Sequence, residues 1–307
     1  MSRYNSLGRL IGRTPMIRLV EIERLYGLRA RLYAKLEKYN PSGSAKDRAA
    51  FYMIRDAVNR GLVGRGGTVV EATSGNMGIS LSMLAAIYKL RLMIVMPENM
   101  SEQRRAIIKA YGGEVILTDA DEGMVGAQRR AEEILAQTPD AHSVRQFENP
   151  MNSYAHYLTT GREIYRDLDG KADVLVSGVG TGGTLCGAGR YLKEKNPRAV
   201  TVAVEPRESA VLSGNASGCH GIQGIGAGFV PRLFDGSIVD MIYAVSTDEA
   251  EEMRGILAVR TGVFAGISSG AVLCCGVDLA IRKENTGKNI VMIFSDGGER
   301  YLSTDLF

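Results

Sequence analysis

Short apolar, mostly β-branched runs recur along the chain, and most lead through small polar residues into a helix-forming stretch. This alternation constrains the fold more than any other feature. Strands are expected at 30–36, 68–71, 91–96, 114–117, 172–177, 200–204 and 289–294. Helices are expected at 44–60, 76–90, 101–111, 124–137, 185–195, 247–261 and 269–283. Such a sequence builds parallel sheets with helices on both faces, because a parallel strand pair needs a crossover connection. A chain of 307 residues is long enough for two medium α/β domains. The stretch 146–154, rich in Asn and containing Pro150, is the expected seam between them. No tandem repeat at solenoid period is present.

Composition removes several function classes. Apolar residues make up 45% of the chain and charged residues 23%, enough for a buried core. Lys and Arg total 37 against 34 Asp and Glu, a net charge of +3 without a basic run, so neither a nucleic acid nor a membrane surface is an expected partner. Cys186, Cys219, Cys274 and Cys275 have no C-x-x-C or zinc-ligand spacing and read as reduced packing thiols. His142, His156 and His220 share no metal or triad spacing and read as structural or surface residues, so no metal site is expected. Residues Met1 to Leu10 lack an apolar signal segment, and no apolar run is long enough to span a bilayer; a cytoplasmic location is expected.

Open α/β sheets bind ligands at the carboxyl ends of their strands. Four polar loops qualify. Gly178-Val179-Gly180-Thr181-Gly182-Gly183-Thr184 follows a strand and opens a helix, so its amides and helix N-terminus make an anion site, with Thr181 and Thr184 as hydroxyl donors. The same glycines match a dinucleotide fingerprint, with Glu205 near the distance expected of a ribose ligand. Two threonines and the distant loops favour a single phosphate. Lys46 sits at a helix start after Pro41-Ser42-Gly43-Ser44, and its alternative reading is a solvated surface lysine. Thr73-Ser74-Gly75-Asn76-Met77-Gly78 offers amides and hydroxyls to a carboxylate, or is merely a capped helix start. Gly266-Ile267-Ser268-Ser269-Gly270 supplies a serine pair, of which Ser269 reads as a possible N-cap.

These motifs, with Ile222-Gln223-Gly224-Ile225-Gly226-Ala227-Gly228-Phe229, resemble the cysteine synthase (O-acetylserine sulfhydrylase) branch of the fold-type-II, tryptophan synthase β-like, pyridoxal phosphate (PLP) enzymes. The resemblance runs from about Ile11 to Phe307. It implies two open parallel-sheet α/β domains with PLP in the cleft between them. A smaller mobile domain would span 39–150, and a larger one 11–38 plus 151–307. It implies Lys46 as the Schiff-base lysine and catalytic base, with Asp47 and Arg48 setting the loop. Gly178, Gly180, Thr181, Gly182, Gly183 and Thr184 would hold the phosphate. Asn76 would meet the phenolic oxygen of the cofactor and Ser268 its pyridine nitrogen. Thr73, Ser74, Gly75, Met77, Gln146 and Gly224 would line the substrate site.

The implied reaction is β-replacement, forming L-cysteine from O-acetyl-L-serine and sulfide through an α-aminoacrylate. A relative acting on cysteine or serine, releasing sulfide or forming lanthionine or cystathionine, would use the same parts. A homodimer and capture of the C-terminal tail of serine acetyltransferase are also implied. Two departures stand out. Met77 replaces a threonine usual in the family, and Asp296 lies after the last strand where an uncharged residue is common; it reads as a turn cap.

Overall fold

A computed structural model describes residues 6–302. Residues 1–5, part of the segment read above for a signal, and residues 303–307 lie outside it.

In the described chain, after a 3-10 turn (Leu7–Leu10), come β1 (Met16–Arg18), α1 (Val20–Leu25), β2 (Arg31–Leu36) and α2 (Lys46–Asn59). Next come β3 (Thr68–Ala72), α3 (Asn76–Tyr88), β4 (Arg91–Pro97), α4 (Glu102–Ala110), β5 (Glu114–Thr118), α5 (Gly123–Gln137) and β6 (Ala141–His142). α6 (Pro150–His156) runs through a π-helical turn (Tyr157–Gly161) into α7 (Arg162–Asp167). β7 (Val174–Gly178), α8 (Gly183–Lys195), β8 (Val200–Pro206), β9 (Met241–Val245), α9 (Thr247–Thr261), α10 (Ile267–Ile281) and β10 (Asn289–Phe294) complete it.

Six strands form one sheet in the order β1-β2-β10-β7-β8-β9, and four form another in the order β5-β4-β3-β6. Every pairing is parallel except β1 with β2. β2 lies early in the chain yet pairs along its length with β10, from Arg31 opposite Asn289 to Leu36 opposite Phe294. The side chains of β10 explain this central position. Ile290, Met292 and Phe294 pack with α9 and α10, while Val291 and Ile293 pack with α8 on the opposite face. A strand covered on both sides reads as a continuous apolar run, and burying each such side chain contributes about 1.5–3 kcal/mol. In the smaller sheet, Val69 and Ile94 face α2 and α3, and Val70 and Val95 face α5.

All the strands and helices expected from the sequence are present within a few residues. Those missed have weak local signals. β1 is three residues long and half-buried, and β9 is half-buried along most of its length, so neither alternates clearly. The stretch at 146–154 is partly helical: Pro150 occupies the first turn of α6, where its missing N–H costs nothing, and the Asn149 side chain caps that helix by accepting from the Met151 amide at 3.0 Å. Ser269 is not an N-cap. Gly266 holds that position, and the Ser269 hydroxyl is buried without a hydrogen-bond partner. Cys186 and Cys275 are buried and Cys274 half-buried, but Cys219 is exposed and does not pack as expected. No helix among the described residues is long and apolar enough to cross a membrane.

Candidate active site

The two sheets present their carboxyl ends to one cleft, and α2, α3, α8 and α10 all begin there. An inner cavity of about 140 Å³ is lined by Lys46, Thr73, Gly75, Asn76, Met77, Gln146, Gly178, Gly180, Thr181, Gly182, Thr184, Gly224, Ser268 and Asp296, among others. The tertiary fold therefore brings together residues as far apart in the chain as Lys46 and Asp296. Ser74 lines an adjoining outer cavity of about 630 Å³ that shares Gly75, Asn76 and Gly224 with the inner one. Of the expected residues, only Gly183 lies on neither wall. It packs behind the loop, where a Cβ would overlap the Asn152 side chain.

Lys46 is held by its neighbours. The Ala45 amide donates to Ser295 O at 2.9 Å, and Ser44 bridges to Asp296, so the lysine loop is braced against the end of β10. Asp47 is buried and accepts from the Ser42 amide at 2.7 Å and the Ser80 hydroxyl at 2.6 Å. Arg48 is fully buried between two carboxylates. Its Nε donates to Glu37 Oε2 at 2.6 Å, and its Nη1 to Glu163 Oε1 at 2.7 Å. Burial pushes the Glu163 carboxyl up, but Arg48 outweighs it and brings the group down to about 2. This pairing ties the first turn of α2 to the ends of β2 and α7. Asp47 and Arg48 thus set the loop, while Lys46 faces the cavity. Burial lowers the affinity of its amine for a proton, and the Asp296 charge partly restores it.

The phosphate loop is shaped by close backbone approach. Gly182 adopts φ 81° as the N-cap of α8, a conformation that suits glycine. A Cβ on Gly180 would lie 2.6 Å from the Gly224 carbonyl oxygen, and one on Gly178 would lie 2.7 Å from Ile225 Cγ2. The N-terminus of α8 faces the cavity with the Thr181 and Thr184 hydroxyls beside it. Thr181 Oγ1 accepts from Asn152 Nδ2 at 3.0 Å.

His156 was not expected here. It is buried, with Nε2 at 3.1 Å from Thr184 Oγ1 and Nδ1 at 2.8 Å from Thr160 Oγ1. Burial first, then the nearby Arg48 and Lys46 charges, push its pKa down to about 3, so the ring is neutral. Of its two neutral tautomers, only that with the proton on Nε2 leaves the Thr184 hydroxyl proton for a phosphate oxygen. The sequence signal lay in helical spacing, since His156 and Thr160 are one turn apart.

At the substrate loop, the Asn76 side chain donates through Nδ2 to Asp296 Oδ2 at 2.7 Å and accepts from Arg300 through Oδ1. Met77 is both a core residue of the smaller sheet and part of the cavity wall. The Gln146 loop is hung from buried Glu71, whose carboxylate accepts from the Gln146 amide at 3.3 Å and the Ser143 hydroxyl at 2.7 Å. Asp296 is not a turn cap. It is buried at the cavity, with Oδ2 also accepting from Tyr301 Oη at 2.7 Å. It follows the last parallel strand, so the rule that located the glycine loops applied to it equally.

Glu205 does not serve a ribose. Its carboxylate is buried and accepts from the Leu212 amide at 2.8 Å and the Ser213 hydroxyl at 2.6 Å. This removes the acidic partner that a dinucleotide site requires. The remaining donors fit PLP: an amine for its aldehyde, a helix N-terminus with two hydroxyls for its phosphate, and Ser268 for its ring nitrogen.

Comparison with known proteins shows the family. A family described as pyridoxal-phosphate dependent enzyme matches residues 7–296. Cysteine synthase 3 of Caenorhabditis elegans is 46% identical over 301 residues, covering 98% of this chain and 89% of that protein. The crystal structure of cysteine synthase from Entamoeba histolytica superposes with a TM-score of 0.97 at 41% identity, covering 100% of this chain and 91% of that one. A hydrogen sulfide-producing enzyme from Fusobacterium nucleatum superposes with a TM-score of 0.92, also at 41% identity, covering 98% of this chain and 100% of that one.

Proposed function

Because the chain belongs to the pyridoxal-phosphate dependent enzymes, we propose that it is a cysteine synthase, forming L-cysteine from O-acetyl-L-serine and sulfide by β-replacement. The observation that carries this reading is the meeting of the Lys46 amine, the α8 glycine loop, Ser268 and the Thr73 loop in one cavity. PLP, when bound, supplies the electron sink for cleavage at the α- and β-carbons. Ser268, a neutral partner for the ring nitrogen, keeps that sink modest and favours elimination and replacement over transamination.

The residues of the chain do the rest. The hydroxyls of Thr73 and Ser74, the amides of Ser74 and Gly75, and Gln146 bind the substrate carboxylate, while the Thr73 amide is held by Val95 O at 3.1 Å. Asn76 orients the cofactor ring, and the backbone at Gly224 lines the substrate side. Lys46 Nζ removes the α-proton, acetate leaves the β-carbon, sulfide bonds to that carbon, and Lys46 returns the proton to the α-carbon. Residues 39–150 act as the smaller mobile unit that closes on substrate, against 11–38 plus 151–307.

A second reading is a sulfide-releasing relative that takes cysteine or serine. Met77 supports it, since a thioether replaces a hydroxyl on the cavity wall. Two further parts of the proposal rest on resemblance, a homodimer and capture of the serine acetyltransferase tail in the active-site cleft; a cytoplasmic location rests on the residues at 1–10.

The test is absorbance and product analysis of the purified protein. O-acetylserine should perturb the visible band of the lysine-bound cofactor, and sulfide should restore it with release of cysteine. Perturbation of the band by cysteine or serine but not by O-acetylserine selects the second reading. Lys46→Ala should abolish both the band and turnover; full turnover in that variant refutes the assignment.

A further inference from the structure

Asn152 is a buried polar side chain of α6 that the proposed reaction does not use; it is 2% exposed. It stands behind the wall of the inner cavity, and its amide holds two residues that form that wall. Nδ2 donates to Gln146 O at 2.8 Å and to Thr181 Oγ1 at 3.0 Å. A primary amide nitrogen carries two protons, so both bonds are made at once. The Gln146 carbonyl oxygen can only accept, which fixes the amide with its nitrogen, not its oxygen, on this side. The approach is close. A Cβ on Gly183 would overlap the Asn152 side chain, and one on Gly187 would overlap Ser153 O. Two glycines one turn apart on α8 thus let α6 lie against the start of α8.

For Thr181 the consequence concerns its proton. Oγ1 accepts from Asn152 Nδ2 and from the Gly183 amide at 3.3 Å. A hydroxyl has two acceptor lone pairs and one donor proton. Both lone pairs are occupied, and among the described residues the hydroxyl donates to none. The proton is therefore left for a group in the cavity. For Gln146 the consequence concerns its backbone. Its amide donates to Glu71 Oε1 at 3.3 Å, and its carbonyl is held by Asn152. The preceding Arg145 sits at φ 48°, a left-handed conformation that these contacts on both sides sustain. The Gln146 side chain thus starts from a fixed point on the cavity wall.

Resting on the reading of residues 178–184 as the phosphate loop and of Gln146 as a carboxylate ligand, we propose that Asn152 is a positioning residue that joins the two. One amide proton reserves the Thr181 hydroxyl as a donor to the cofactor phosphate. The other fixes the backbone of Gln146 beside the substrate. A freely turning hydroxyl presents a lone pair to an oxyanion as readily as a proton, and only the proton attracts it. Filling both lone pairs in advance removes the wrong orientations before the ligand arrives, which lowers the ordering cost of binding.

The placement on α6 supports this role. His156 lies one turn after Asn152 on the same helix face and meets Thr184 as Asn152 meets Thr181. One short helix therefore serves both hydroxyls of the phosphate loop. Asn152 alone of the two also reaches the substrate side, because its second proton goes to Gln146 O.

The experiment titrates the apo form of the full chain separately with PLP and with pyridoxal, which lacks the phosphate, and follows the visible band of the lysine-bound cofactor. The preference for PLP over pyridoxal reads the phosphate contacts alone, since a general loosening of the fold weakens both ligands together. In Asn152→Ala this preference should fall roughly three- to tenfold, the range for losing one ordered hydrogen bond. The effect should run through Thr181: added to Thr181→Val, Asn152→Ala should leave the preference where Thr181→Val alone puts it. Asn152→Asp has the same shape but only acceptors, draws the Thr181 proton to itself, and should lower the preference at least as far. It keeps the packing against Gly183 and gives an independent test if the alanine variant does not fold. With PLP saturating, the half-saturating concentration of O-acetylserine, read from the same band, should rise several-fold in Asn152→Ala. It should rise as much when Asn152→Ala is added to Thr181→Val, because Gln146 is not reached through Thr181. An unchanged preference in either Asn152 variant, an equal further fall in the Thr181→Val background, or an unchanged half-saturating concentration overturns the proposal. A wild-type protein that forms no band with PLP, or whose band O-acetylserine leaves unperturbed, instead overturns the reading of the site on which it rests.

Discussion

Replacing His156 with Asn should flatten the acid limb of the stability curve of this protein. The ring is 1% exposed and its pKa is pushed down to about 3, against an ordinary value of 6.5. Between those values the unfolded chain binds a proton at this position and the folded chain does not. Stability therefore rises with pH through that window and is lost as pH falls below 6.5. From pH 7 to pH 5 the single site accounts for about 2 kcal/mol of lost unfolding free energy by linkage. The assay is urea unfolding of the apo form at pH 7, 6 and 5, at fixed protein concentration, so that neither cofactor nor assembly contributes.

Asn at 156 also removes hydrogen bonds to Thr160 and Thr184, which lowers stability equally at every pH. Only the slope is diagnostic. Wild type should lose about 2 kcal/mol more than His156→Asn over this range. Glu163, at about 2, acts at lower pH than the range used. His142, also lowered by burial, is present in both proteins and cancels. Parallel curves would refute the account of a neutral, desolvated His156.

Two further outcomes follow from named contacts. Gly180→Ala places a Cβ 2.6 Å from the Gly224 carbonyl oxygen; PLP binding by fluorescence titration should weaken at least about tenfold, ~1.4 kcal/mol, and an unchanged dissociation constant would mean that the loop yields freely. Met77→Thr removes buried core volume and adds a hydroxyl to the cavity wall; the unfolding free energy should fall by about 2 kcal/mol, while the kcat/KM ratio of O-acetylserine to cysteine rises, and an unchanged ratio would confine Met77 to packing.

The sequence by itself determined the strand–helix alternation, the glycine loops at strand ends, and the lysine, serine and threonine residues available for chemistry. These are local properties. A helix start with small residues signals an anion site whatever lies across from it, and a run such as Ile290–Phe294 is a buried strand in any α/β protein. The tertiary structure decided which of these signals converge. It paired β2 with β10, buried Arg48 between Glu37 and Glu163, and thereby fixed the direction of α2 and the place of Lys46. It also decided the roles of polar residues whose partners are remote. Glu205 turned to its own loop, His156 reached Thr184, and Asp296 reached Asn76 across 220 positions of chain. Burial and charge pairing depend on what packs against a group, and no spacing along the chain encodes that.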